Sequence, residues 1–160
     1  MTVADAELVQ ITADIWSTLL GLELRSAAPE LTANGSADPD AQAAGRVFTG
    51  WILITGDWEG AVTLDLPSGL ARRAGAIMFG GSPDDVADAD IRDVVGELTN
   101  ITGGNVKALV GGSCQLSLPA VTEGVDYLMS LPGSSVVNRV RLDCDGELLL
   151  VSVLERSQGD

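Results

Sequence analysis

The chain has 160 residues, enough for one domain with a real core and too few for two ordinary ones. Its 9 basic against 23 acidic residues leave a formal net charge of −14, which repels nucleic-acid phosphates and anionic membrane surfaces and sets DNA, RNA and lipid aside as partners. A hydrophobic fraction of 46% at a mean hydropathy of +0.26 argues for an ordered protein, and an aromatic content of 4% for a core of Val, Leu, Ile and Ala.

The start, MTVADAELVQ, lacks the basic region and apolar core of a secretory signal, and no stretch approaches the roughly 18 apolar residues of a membrane helix. A cytoplasmic protein is expected. Leu8, Ile11, Ile15 and Leu19 recur at helical spacing, which predicts a first helix over 4–20 that stops at Gly21. Residues 27–45, AAPELTANGSADPDAQAAG, carry no basic residue and are rich in turn formers, so a mobile loop is expected there. RVFTGWILIT and GAVTLDLP then flank GDWE as an antiparallel hairpin, followed by a short helix, SGLARRAGAIMFG. GGSP offers Ser82 as cap and Pro83 as first residue of a long helix that ends at VGG. Three more strand regions follow: CQLSLP, one near DYLMSL, and the hairpin VVNRVRLDCDGELLLVSVLE turning at Asp145–Gly146. The apolar run ELLLVSVLE is a candidate for edge-to-edge pairing across a homodimer axis.

Two segments repeat. ELVQITADIWSTLLG, residues 7–21, lies over ELTNITGGNVKALVG, residues 97–111, with 6 of 15 positions identical. Each is followed by a hairpin, so the expected fold is an α/β (α+β) sandwich of pseudo-twofold, duplicated helix–hairpin units with the long helices packed on an antiparallel-rich sheet. Chance likeness between amphipathic helices is the alternative.

There is no histidine, which removes histidine-based triads and bases. Two thiols alone cannot complete a zinc shell, so no metal site is expected; Cys114 and Cys144, each in a strand-like run, read as small buried apolar residues. Chemistry is left to carboxylates, amides, hydroxyls and lysine.

In the long helix, DVVGELTNITGGNVKAL, about 100° per residue places Asp93, Glu97, Asn100, Gly104 and Lys107 within an arc of about 80°. Ile91, Val95, Leu98, Val106 and Leu109 fall opposite, with Asn105 toward that apolar side as a buried amide held by backbone. Singly, the acids are ordinary solubilising residues. Together the stripe sets like charges at i,i+4, an asparagine in mid-helix and a glycine one turn on, three local costs on one surface. Rules broken together mark a functional face.

The segment DVVGELTNITGGNVKAL, followed by LSLPAVTEG, resembles the CheX/CheC/FliY phosphatases of the chemotaxis response regulator CheY, and the CheX branch most. Their pattern of Asp or Ser, three residues, Glu, two residues, Asn and a later proline is met by Asp93, Glu97, Asn100 and Pro119. The resemblance implies a single CheX-like domain over 1–160 that hydrolyses the aspartyl phosphate of a receiver domain, with no cofactor of its own because the receiver brings Mg²⁺. Asn100 would orient the attacking water and Glu97 would dock on the receiver's lysine, with Asp93, Gly104, Lys107 and Pro119 at the contact. Glu7 and Gln10 hold the matching places of the first helix, as a worn second site or a purely structural helix. The competing reading is a non-catalytic receiver-binding or dimeric assembly module.

Overall fold

Alternating residues point to opposite sides of a strand, so one sheet presents two unlike faces. The computed structural model describes residues 3–27, 46–124 and 132–157. In chain order these form α1 (Asp5–Leu20), β1 (Arg25–Ser26), β2 (Val47–Gly56), β3 (Gly60–Pro67), α2 (Ser68–Phe79), a 3₁₀ turn (Pro83–Asp85), α3 (Asp88–Val110), β4 (Cys114–Leu116), β5 (Ala120–Gly124), β6 (Ser134–Cys144) and β7 (Glu147–Arg156). Among the described residues, seven strands make one antiparallel sheet in the order β1-β6-β7-β3-β2-β4, with β5 following β4 along the same edge of β2. The fold is α+β, three helices on that sheet. The expected loop over 27–45 and strand near DYLMSL lie outside the described residues, Ala27 apart.

Register assigns the faces. Gly50, Leu64, Val151 and Val140 lie side by side across four strands, and these positions belong to the core shared with Leu8, Trp16, Leu70, Val95 and Leu98 of the helices. The opposite face carries Thr49, Asp65, Leu150 and Arg141 in one row and Trp51, Thr63, Ser152 and Arg139 in the next. There the Thr49 hydroxyl donates to Asp65 Oδ1 at 2.6 Å, and Arg139 Nε donates to Ser152 Oγ at 2.9 Å. Burial raises the Asp65 carboxyl above its ordinary value, opposed by the Thr49 hydrogen bond and the Arg139 charge.

Several expectations are corrected. Ser82 caps the 3₁₀ turn, its hydroxyl accepting from Asp84 N, and α3 begins only at Asp88. The break has a cause: Val86 is extended and packs at Gly75, where a Cβ would come within 2.9 Å of Val86 Cγ1. In α1, Leu19 is exposed, and Trp16 and Leu20 are buried instead. CQLSLP is strand only to Leu116. The chain then leaves the ladder at Ser117–Pro119 and resumes pairing at Ala120, opposite Trp51. The run ELLLVSVLE forms β7, which pairs with β3 on one side and β6 on the other, so it offers no edge to a second copy.

The hairpin turn is as expected, with positive φ at both Asp145 and Gly146 (52° and 91°), as a tight primed turn requires. Cys114 and Cys144 are free and buried. A β-bulge in β6 inserts Val137, beyond which Asn138 donates to Val3 O and to Asp5 Oδ1, both at 2.7 Å, and ties the start of α1 to the sheet.

Candidate functional site

α3 is amphipathic because its two sides meet different surroundings. Ile91, Val94, Val95, Leu98, Thr99, Thr102, Gly103, Val106 and Val110 are buried on the sheet and neighbouring helices. Thr99 and Thr102 sit among them without loss, because their hydroxyls donate to the carbonyls of Val95 and Leu98, both at 2.7 Å. Asp88 and Asp90 in the first turn and Lys107 in the last complement the helix dipole.

The solvent side carries the expected row. Asp93, Glu97 and Asn100 are exposed, and Gly104 and Lys107 are half-buried. Among the described residues none of the four side chains in the row makes a hydrogen bond or ion pair within the chain. One carboxylate and one carboxamide, three residues apart, therefore stand free in water on a rigid element. Asn105 is a correction: it is exposed rather than turned to the core, though its amide does donate to a backbone carbonyl, that of Ile101, at 2.9 Å. Leu109, expected in the core, is also exposed.

The two glycines have different reasons. A Cβ at Gly103 would lie 2.5 Å from Ile52 Cγ2 on β2, so the close approach of helix to sheet requires glycine there. At Gly104 the nearest atom is Leu116 Cδ1 at 4.0 Å, and among the described residues no packing demands a missing side chain there. Gly111 and Gly112, both with positive φ (70° and 72°), turn the chain from α3 into β4, and Asp57 Oδ2 accepts from Ser113 N at 2.8 Å to hold that turn.

Pro119 lies beside α3 at Gly96. A Cβ at Gly96 would be 3.9 Å from Pro119 Cγ and 3.7 Å from Val121 Cγ2, and Arg92 Nη1 donates to Val121 O at 3.2 Å, so β5 is fastened along α3 at the level of Asp93 and Glu97. Sequence reasoning passed over Gly96 and Arg92, which join α3 to β5, and Ser117, which ties the segment before β5 to Leu53 of β2; the proline after an apolar run was the one signal of an interrupted edge strand.

The first-helix positions differ from the α3 row in that both polar side chains have partners. Glu7 Oε2 accepts from Ala4 N at 3.5 Å and caps its own helix, and Gln10 Nε2 donates to Asp14 Oδ1 at 2.8 Å. Among the described residues there is no cluster of three or more Cys, Asp or Glu side chains placed to hold a metal. No helix of the described residues is long and apolar enough to cross a membrane.

The fold has close parallels in known proteins. No curated protein matches the chain. Among solved structures, CheX from Vibrio vulnificus superposes with a TM-score of 0.72 at 20% identity, covering 96% of this chain and 100% of that one. CheX from Desulfovibrio desulfuricans superposes at 0.70 with 23% identity, covering 92% and 96%. A CheX–CheY–BeF₃–Mg²⁺ complex from Borrelia burgdorferi matches at 0.70 with 18% identity, covering 98% and 100%. A family profile, that of the chemotaxis phosphatase CheX, matches residues 48–144, which hold β2 to β6 and the whole of α3. With more than half of its length under that profile, this chain belongs to the CheX family of chemotaxis phosphatases.

Proposed function

We propose that this chain hydrolyses the aspartyl phosphate of a CheY-type receiver domain, using Glu97 and Asn100 on α3. The observation that carries the reading is that Glu97 and Asn100 are exposed and without partners within the chain, beside a bare position at Gly104 that no internal packing requires. The Borrelia burgdorferi complex holds CheX with CheY, Mg²⁺ and BeF₃, a mimic of the phosphoryl group. The same class of partner is taken for this chain.

The chemistry asks little of the helper. In a phosphorylated receiver the Mg²⁺ and a lysine already neutralise the phosphoryl oxygens, so the missing component is a placed water. A carboxamide both donates and accepts, so Asn100 can hold a water in line with the phosphorus–oxygen bond without changing its own protonation. Water adds to phosphorus, the bond to the aspartyl oxygen breaks, and inorganic phosphate and the free carboxylate leave. Glu97, three residues away and about 60° round the helix, pairs with the receiver's lysine and fixes the register that puts Asn100 over the phosphorus. Asp93, Lys107 and Pro119 flank this contact, and Gly104 lets the receiver backbone approach the helix. Mg²⁺ enters only with the receiver.

The two halves of the chain are also proposed to be a duplication. The strand order supports it: β1, which follows α1, pairs with β6, and β4 and β5, which follow α3, pair with β2. A homodimer is likewise proposed, through the outer edge of β6 rather than β7. Among the described residues β1 covers only the Leu142–Asp143 end of that edge, and Val136 and Val137 beyond it are exposed. A monomer mass in light scattering at tens of micromolar would overturn the dimer.

The test of the enzyme reading is phosphate release from a phosphorylated CheY-type receiver, with Asn100→Ala as the diagnostic variant. Full turnover by Asn100→Ala would make the non-catalytic binding module the better account.

A further inference from the structure

Two contacts fix where the edge segment lies along α3. Leu116 Cδ1 is the atom nearest to a side-chain position at Gly104, and Val121 and Pro119 are nearest at Gly96. Those glycines are two turns apart, about 12 Å, so the segment runs antiparallel to the helix. Leu118 lies in sequence between Leu116 and Pro119, on the stretch of the edge segment that runs past the part of α3 from Gly104 to Gly96, which contains Asn100. It is 89% exposed, more than any other large apolar side chain among the described residues.

The exposure is built in. Ser117 N donates to Leu53 O at 2.9 Å, and Leu53 N donates to Ser117 Oγ, also at 2.9 Å, so a side chain stands in for the next rung of the ladder. The Ser117 hydroxyl donates in turn to Leu118 O at 3.0 Å, and Pro119, which has no N–H, follows. The chain is thereby held off the sheet at one residue and fastened on both sides of it, a bulge of the kind that re-aims a side chain beside a site. At 89% exposure Leu118 buries little apolar area in this fold. With its position beside the row of free polar groups, that leaves contact with the body that covers the row.

We propose that Leu118 is a docking residue that seats in an apolar recess of the receiver surface next to its aspartyl phosphate. This rests on the proposed function, which supplies the receiver as occupant. The net charge of −14 argues against an anionic lipid surface at the same leucine. Seated, Leu118 closes one side of the Glu97–lysine contact to water and strengthens it, the part that apolar rims play around a buried polar centre.

The experiment compares full-length wild type, Leu118→Ala and Leu118→Met against a phosphorylated CheY-type receiver, and against the same receiver loaded with beryllofluoride and Mg²⁺. Leu118→Ala is expected to raise KM and Kd by about tenfold with kcat within about twofold, as for loss of one interface anchor. Leu118→Met should restore most of the affinity, and the melting temperature should stay put in both. Unchanged binding by Leu118→Ala, or a loss of kcat at constant KM, or a fall of several degrees in melting temperature would each overturn the docking role while leaving the phosphatase reading intact. Failure of the wild type to bind or dephosphorylate any receiver would instead overturn that reading, and this one with it.

Discussion

α1 and α3 present the same buried face and opposite kinds of solvent face. Thr12 and Thr102 occupy matching places, and each hydroxyl donates to the carbonyl of the matching leucine, Leu8 at 2.8 Å and Leu98 at 2.7 Å. Outside, α1 closes on itself: Glu7 caps the helix start and Gln10 is bonded to Asp14. In α3 glycine replaces that aspartate, and the matching Glu97 and Asn100 are left without partners. An amide bonded to its own helix is held in place and has fewer groups left for a water than a free one. The difference lies in the polar groups' partners rather than in their identities.

The largest effect is expected from Asn100→Ala. It removes a free exposed amide, so folding and docking should survive while kcat falls by about 10²-fold or more, the scale for losing placement of a nucleophile. Single-turnover dephosphorylation at saturating protein is the measurement. A wild-type rate would erase the functional difference between the two helices.

Glu97→Ala comes next and should act on association. Loss of a charge-assisted contact raises Kd for the beryllofluoride-loaded receiver by about tenfold to a hundredfold, and the effect should shrink with added salt. If kcat falls and Kd does not, the division of labour between Glu97 and Asn100 is wrong.

The α3 row was legible in the sequence because its evidence is local: like charges at i,i+4, a mid-helix asparagine and a glycine break helix rules at helical spacing, and burial has left all of them outside. The apolar face and both main hairpins were legible for the same reason, as period and turn chemistry. What failed depends on neighbours. GG at 103–104 looks like one weak point, yet Gly103 answers to Ile52 on a strand about fifty residues earlier and Gly104 to no close packing among the described residues. The interior place of β7 depends on which strands flank it, and the bulge at Ser117–Pro119 on a hydroxyl standing in for a backbone group. Leu109 and Asn105 were misplaced because the buried face of the last turns runs through Thr102, Gly103, Val106 and Val110, which leaves those two on the exposed side.

The paired glycines sharpen the comparison by separating packing from docking. Gly103→Ala forces a methyl against Ile52 and should destabilise by about 1–3 kcal/mol, as overpacking does, with a melting temperature lower by several degrees. Gly104→Ala should raise helix stability by up to about 1 kcal/mol and weaken receiver binding. Equal destabilisation by both would mean that Gly104 is also a packing residue and that the bare stripe has no bearing on the partner.

The smallest effect is expected where the first helix is altered, in Glu7→Ala with Gln10→Ala. Both side chains are exposed and engaged only with their own helix, so removing them takes away one long capping contact and one amide–carboxylate pair. The melting temperature should fall by about 1–2 °C, the size of a few tenths of a kcal/mol in a chain of this length. Phosphate release should equal that of the wild type, because no free amide has been lost. The assay is the one used for Asn100→Ala, run side by side, so that the two helices are compared on one scale. A loss of turnover like that from Asn100→Ala would show that the Gln10–Asp14 bond opens when a receiver docks and that α1 works as a second site. Partnering within the helix would then no longer distinguish the two copies.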